Sequence, residues 1–264
     1  MKYSFACVLL LMLLASGCSR QETVVRGSGE AIRLEYDIDA PRSVKFGDVG
    51  DLFVRFGKEA KLVVEIEENL SRYVYATPDG DSLSLGILSE LAIQNTRPIR
   101  FMLDLPSLEA ISISGPSLAN VGPWKSSTVI SCDASEGAQL LLEKIEAPEA
   151  IMKVSGISRV EIDMLQLEKF QIHQQTATDV WCKKGFAKKL DLRIKGSSLF
   201  RGAMVEFGLV GVTAQNKAQA QLGPVQYLEG SVSDSSLVEY RGKPSLIVES
   251  RGGGRVRPMA VGGN

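Results

Sequence analysis

The sequence predicts an all-β chain wound as a right-handed parallel β-helix, a β-solenoid with turns of about 20 residues. Three observations predict it. A small residue recurs at Ser117, Ala138, Ser158, Ala177, Ser198, Ala218, Ser236 and Gly253, at intervals of 21, 20, 19, 21, 20, 18 and 17. Such a beat marks one supersecondary unit stacked repeatedly on itself. Apolar and polar residues also alternate with period two, the signature of half-buried strands. Finally, the positions flanking the small residues form mostly apolar columns. Four before lie Ile113, Ala134, Val154, His173, Ile194, Ala214, Val232 and Glu249, and four after lie Val121, Leu142, Ile162, Trp181, Gly202, Leu222, Tyr240 and Arg257. Equivalent residues of successive turns bury one another, and a small residue sits where a larger one would strike its own copies above and below. The handedness follows from the general preference for right-handed parallel crossovers. A leucine-rich repeat would need a Leu/Asn lattice that is absent. Residues 28–105 taken alone also fit a β-sandwich.

In chain order, Met1-Lys2 is followed by eleven apolar residues from Phe5 to Ala15. As a helix they rise only about 16 Å, short of the roughly 20 residues that span a bilayer, so residues 1–17 read as a signal peptide. Ala15-Ser16-Gly17-Cys18 resembles the lipobox of bacterial lipoproteins, with Ala15 standing where the motif usually has Leu. The resemblance implies cleavage before Cys18 and lipidation of its thiol. Ser19 beside it implies the outer membrane in a cell with two membranes. An ordinary signal peptide cleaved near Gly17 is the alternative.

Residues 18–27 then form the lipidated cysteine and a short polar tether, and a single solenoid domain covers 28–258. Within it, residues 28–105 carry separate strand patterns. Leu52, Val54 and Phe56 form one alternating set, and Leu62, Val64 and Ile66 the next. Leu83, Leu85 and Ile87 form a third, and Ile99, Phe101, Leu103 and Leu105 a fourth. Turn chemistry separates them at Gly57-Lys58, Thr77-Pro78-Asp79-Gly80-Asp81 and Arg97-Pro98. Residues 106–258 hold the regular repeats, and 259–264 are a tail.

Composition excludes several classes. Of 264 residues, 44% are hydrophobic and 23% charged, with net charge −1, which becomes −2 once Lys2 leaves with the signal peptide. That balance is neither a nucleic-acid binder's nor a disordered chain's. Of the four cysteines, Cys7 lies in the signal core and Cys18 at the anchor. Cys132 and Cys182 sit two repeats apart, roughly 10 Å at best, too far for a disulfide. They read as buried free thiols without metal-ligand spacing.

The only histidine, His173, falls in an inward column and has no second histidine to share a metal. No Gly-x-Ser-x-Gly elbow surrounds a serine. Acidic residues of the repeats do not recur in one column, although Glu161 and Asp163 share a strand face. No catalytic set, cofactor or metal site is therefore assigned. The most concentrated charge is Lys183, Lys184, Lys188, Lys189, Arg193 and Lys195, opposed only by Asp191. It is the candidate patch for an anionic ligand such as lipid headgroups, lipopolysaccharide phosphates or acidic glycans. Trp181 and Phe186 beside it offer rings on which sugars could stack; a plain solvated face is the bland reading.

Several blocks resemble a known family in their order along the chain. They are Arg26-Gly27-Ser28-Gly29, Leu62-Val63-Val64-Glu65-Ile66-Glu67-Glu68-Asn69-Leu70 and Asp79-Gly80-Asp81-Ser82-Leu83-Ser84-Leu85. Further on come Leu105-Pro106-Ser107-Leu108-Glu109-Ala110-Ile111-Ser112-Ile113-Ser114-Gly115 and Val238-Glu239-Tyr240-Arg241-Gly242-Lys243-Pro244. Together they resemble the head GIN domain family of adhesin-like, β-helical envelope proteins, over roughly residues 26–256. The family's Ser-Gly-Ser-Gly turns survive here only in part, as Ser155-Gly156-Ile157-Ser158 and Lys195-Gly196-Ser197-Ser198, and the turn at Thr176-Ala177-Thr178 lacks glycine. The resemblance implies a β-helical cell-envelope protein; together with the lipobox and the lack of an assembled catalytic set, the chain reads as a non-enzymatic lipoprotein, held to the membrane at Cys18, acting as a surface binding, adhesion or structural module. Its ligand would be a glycan or an envelope component, not nucleic acid; its oligomeric state stays open. A polysaccharide-acting β-helix enzyme and a passive structural protein are the alternatives.

Overall fold

The computed structural model describes residues 24–47, 49–88 and 92–260. From residue 106 the chain coils through three faces per turn, and each face is a parallel sheet running along the coil axis. On the first face, Ser43–Gly47, Ala110–Ile113 and Ile130–Ala134 stack in register on the C-terminal halves of the longer strands, from Ala150–Val154 through Tyr227–Val232 to Ser245–Ser250. The second face runs from Gly50–Phe56 through Ser117–Val121, Asp179–Cys182 and Leu199–Gly202 to Arg255–Pro258. The third is narrower and starts at Trp124–Lys125. The predicted solenoid is thus the observed fold.

The interior is a set of columns. Ile111, Cys132, Met152, Ile172, Leu192 and Val212 are register partners on the first face, and all are buried. On the second face Leu52, Ala119, Leu140, Val160, Val180, Phe200, Ala220 and Val238 do the same. Bulk is balanced between neighbouring columns: a Cβ on Gly202 would come within 2.9 Å of the Phe200 ring, so glycine there leaves room for Phe200 and Phe207. Cys132 and Cys182 are free and buried in different columns, and burial pushes the Cys132 thiol up to about 12 and the Cys182 thiol higher still.

The recurring small residues line one corner, but the register differs from the sequence reading in two turns. Backbone bonds run from Arg159 N to Ala138 O, from Asp179 N to Ser158 O, and from Leu199 N to Thr178 O. They continue from Gln219 N to Ser198 O, from Leu237 N to Ala218 O and from Arg255 N to Ser236 O. The stacked members are therefore Thr178, which is buried, and not Ala177, which is exposed; likewise Gly254 replaces Gly253. A slip of one residue exchanges the two faces of a strand. Consequently Gln174, not His173, occupies the inward column between Val154 and Ile194, and Cys182, not Trp181, follows Ile162. Buried Gln174 donates through Nε2 to Thr178 Oγ1 and to the Leu199 carbonyl.

Two residues before each small residue the backbone enters the left-handed region, at Gly115, Glu136, Gly156, Thr176, Gly196, Asn216, Asp234 and Gly252. This column of positive φ turns the chain from first face to second. Glycine, Asn and Asp suit it; Thr176 at φ 81° is β-branched and strained.

The first 80 or so described residues close the N-terminal end. Ala31–Asp37 pairs antiparallel with Lys61–Glu67, which pairs antiparallel with Arg100–Leu105. Val74–Asp79 pairs antiparallel with Ser82–Ile87, which joins the first face beside Ser43–Gly47. This region is continuous with the solenoid core, not a separate sandwich. A short 3-10 helix, Glu68–Tyr73, was not legible in the sequence, and Val24–Arg26, at the end of the expected tether, form a strand with Ala92–Gln94.

One buried carboxylate ties this end together. Glu67 accepts hydrogen bonds from Gly29 N at 2.7 Å, Thr96 N at 2.8 Å, Thr96 Oγ1 at 2.6 Å and Arg97 N at 3.3 Å. These donors, led by the Thr96 hydroxyl, hold its carboxyl down at about 2. Asn69 adds a second clasp, accepting from Ser28 N and donating to the Arg26 carbonyl. Gly27 lies against the carboxylate, where a Cβ would be 2.1 Å from Glu67 Oε2. The opposite end is plain: Ser245–Ser250 is the last strand of its face among the described residues, with Leu246 and Ile247 exposed.

Candidate binding site

The outward side chains of a parallel solenoid also stack, one per coil, about 4.8 Å apart. On the first face the outward column reads Lys45, Ser112, Asp133, Lys153, His173, Arg193, Thr213, Ser231, Glu249. Three nitrogen bases, Lys153, His173 and Arg193, therefore stand on consecutive coils. One step along the strands, Ser155, Gln175, Lys195 and Gln215 form a second polar row. Between the two rows runs an open groove of about 440 Å³. Its lining holds the cations Lys153, Arg193 and Lys195 against a single carboxylate, Asp133. Arg193 Nε lies 3.7 Å from Asp191 beside the groove. Lys153 and Lys195 form no ion pair among the described residues.

The arrangement is a short cationic ladder along the coil axis with amide and hydroxyl groups alongside. It can hold a linear anion by charge and orient it by hydrogen bonds. Among the described residues no hydrogen bond joins Ser155 or Thr213 of its lining to His173.

The six basic residues singled out in the sequence are not gathered in one place. They occupy one turn, and a turn travels round the whole solenoid. Arg193 and Lys195 join the ladder. Lys189 follows Lys169 in a neighbouring column, Lys188 pairs with Glu168 at 3.2 Å at a corner, and Lys184 is exposed just before Gly185. Lys183 belongs to the second face, where it binds Asp163 at 2.7 Å and also Glu161. These two carboxylates, Asp163 first, raise the pKa of its amine. Trp181 lies between cations too, with Lys183 Nζ and Arg201 Cζ each 5.0 Å from its ring centroid. Phe186 is part-exposed over a third, separate groove with Glu146, Pro148 and Glu168.

Lys153 and His173 were missed as ladder members for a simple reason. Lysines clustered in sequence are conspicuous, whereas basic residues spaced by 20 are not. The signal was present in the period itself, because 153, 173 and 193 differ by exact turns once Thr178 sets the register.

Carboxylates do gather beside Lys183, where Glu143, Glu161 and Asp163 line a groove on the second face. Glu161 and Asp163 are both committed to Lys183. Among the described residues no three His, Cys, Asp or Glu side chains come together as metal ligands. No described helix is long and apolar enough to cross a membrane. The segment read as a signal peptide and Cys18 lie outside the described residues.

Solved structures share this architecture. A "putative adhesin" from Parabacteroides merdae superposes with a TM-score of 0.79 at 19% identity, covering 90% of this chain and 100% of that one. A "putative adhesin" from Parabacteroides distasonis gives 0.76 at 16% identity, with coverage of 89% and 100%. A "putative lipid binding protein" from the same species gives 0.78 at 15% identity, with coverage of 90% and 100%. At these identities the likeness establishes the fold. No curated protein matches the chain. A family model described as "Putative auto-transporter adhesin, head GIN domain" matches residues 40–244, most of the solenoid and much of its N-terminal closure. With most of the coils and much of the closure inside that match, the chain belongs to the head GIN domain family.

Proposed function

We propose that the protein is a non-enzymatic binding module of the cell envelope that holds an anionic envelope polymer or headgroup layer along the Lys153–His173–Arg193 ladder. The observation that carries this reading is the ladder itself: Lys153 and Arg193 stand two coils apart with His173 between them, Lys195 beside them and one carboxylate in the groove. Repetition along a rigid axis suits a ligand whose charges repeat along a chain or lie in a plane. The adhesin description of the family fits a binding role at the cell surface. The lipid-binding description of one structural neighbour makes anionic phospholipid an arm of the test. The lipobox-like segment supplies the anchor: Cys18, lipidated, would hold the solenoid within a short tether of the membrane.

The test compares the full chain with a Lys153→Glu/Arg193→Glu variant for binding to lipopolysaccharide, to vesicles containing phosphatidylglycerol and to vesicles of phosphatidylcholine alone. The expected result is salt-sensitive binding to an anionic probe, weakened at least tenfold in the variant. Equal binding by both chains would overturn the assignment of the ladder. For the anchor, Cys18→Ala should release the protein from the membrane fraction, and retention there would sink the lipoprotein reading.

A further inference from the structure

The second face carries an independent feature. Its outward column runs Phe53, Asn120, Leu141, Glu161, Trp181, Arg201 on successive coils. At its N-terminal end this column and the corner beyond it enclose a groove of about 320 Å³, at the lower end of small-ligand sites. Gly122, with no side chain, opens the corner. The floor is apolar: the half-buried ring of Phe53 and the side chain of Leu141.

The rim is polar and largely prearranged. Arg55 is fixed by a two-pronged bond to Asp104, at 2.8 and 3.0 Å. Lys183 is fixed by Glu161 and Asp163. Asn120 and Glu143 make no side-chain hydrogen bond or ion pair among the described residues and face the groove free. The lining carries three carboxylates, Glu143, Glu161 and Asp163, against two cations, Arg55 and Lys183, and both cations are already engaged. This groove therefore repels anions, the opposite of the ladder on the first face.

An aromatic floor with a rim of fixed and free hydrogen-bonding groups matches one chemical class. A neutral pyranose ring has an apolar C–H face, which stacks on an aromatic ring, and an edge of hydroxyls that both donate and accept. Trp181, the ring the sequence offered for stacking, is already engaged by Lys183 and Arg201, whereas no such contact occupies Phe53. We infer that the Phe53 groove is a neutral-saccharide site, with a sugar ring stacked on Phe53, hydroxyls bonded to Asn120 and Glu143, and the Lys183–Asp163 pair closing one side. The inference does not rest on the anionic-ligand reading, since the two sites lie on different faces and have opposite charge.

The experiment is saturation-transfer NMR and calorimetric titration of the full chain with maltose, cellobiose, mannobiose and N,N′-diacetylchitobiose at millimolar concentration. At least one should bind, about tenfold more weakly in Phe53→Ala and undiminished in Phe53→Trp. Asn120→Ala should weaken it as well, and it serves as the deciding variant if Phe53→Ala melts below the parent protein. Lys153→Glu/Arg193→Glu should leave saccharide binding unchanged, which separates this site from the ladder. Binding by none of the four sugars, or binding that survives both Phe53→Ala and Asn120→Ala in folded protein, would overturn the assignment.

Discussion

The closed N-terminal end and the regular coils solve the same problem by different physics. In the coils every inward residue lies over its equivalent, so apolar columns and a repeated corner hold the stack, and polar groups contribute little inside. At the N-terminal end the column stops, and antiparallel strands and a 3-10 helix cover it. There a single buried carboxylate with four donors, backed by Asn69, does what packing does elsewhere. Stacking is tolerant of sequence because any apolar side chain of fitting size will serve. The clasp is intolerant, since Glu67 needs Gly27, Gly29, Thr96 and Arg97 at fixed places.

The contrast can be broken most severely inside the coils. Gly230 has φ 131°, and a Cβ there would lie 1.9 Å from the Val212 carbonyl oxygen of the coil before. Gly230→Ala should therefore cost about 3 kcal/mol or more, lowering Tm by roughly 6–12 °C. Gly57→Ala, where nothing lies within 4 Å, is the matched control and should melt like the parent. Equal melting of the two variants would show that contacts between coils do not limit stability.

Acid should act on the other region. Glu67 has its folded-state value depressed from 4.5 to about 2, so the stability it contributes is complete above the ordinary carboxylate value and disappears as pH falls through about 2. Amide exchange at residues 24–29 and 92–97 should quicken across that window while residues 130–232 stay protected. Glu67→Gln, which cannot ionise and turns an amide NH₂ toward backbone donors, should expose the same segments already at neutral pH and remove their acid dependence. An unchanged acid profile in the variant would refute the clasp.

The smallest effect expected is a gain. Thr176 is the one β-branched residue in the left-handed corner column, and Thr176→Gly should raise stability by about 1 kcal/mol. A fall in Tm would mean that the Thr176 side chain makes good its backbone strain.

Much of the fold was legible because stacking writes a period into the chain. Ser117, Ser158 and Ser198 mark the corner correctly, and the alternating sets at Leu52, Leu62, Leu83 and Ile99 fall on strands with a buried face, with Ile99 one residue before its strand and Phe56 half-buried. The register error at Ala177 arose because Ala177 and Thr178 are both small enough for the corner. The backbone chose Thr178, whose N–H approaches Ser198 Oγ and whose hydroxyl accepts from Gln174. That slip hid His173 from the outward face and with it the middle of the ladder. The Glu67 clasp was invisible for another reason: its partners lie 29 to 38 residues away in loops without period. The Arg26-Gly27-Ser28-Gly29 and Glu67-to-Asn69 blocks that carried the family resemblance turn out to be the two halves of that clasp. The candidate site was half legible: Arg193 and Lys195 were named, while Lys153 and the Phe53 groove depend on which columns face outward.

The corner column also sets how this chain can change length. Residues 158, 178, 198 and 218 hold one structural position, so excising residues 159–178 would rejoin equivalent points and leave both ends and every surviving contact type intact. Loss of part of a coil would rotate one part of the molecule against the rest. Growth and shrinkage are thus quantised in whole coils, and each quantum lengthens or shortens both outward rows by one rung. Reach toward a distant surface, in such a protein, is an inherited count of coils.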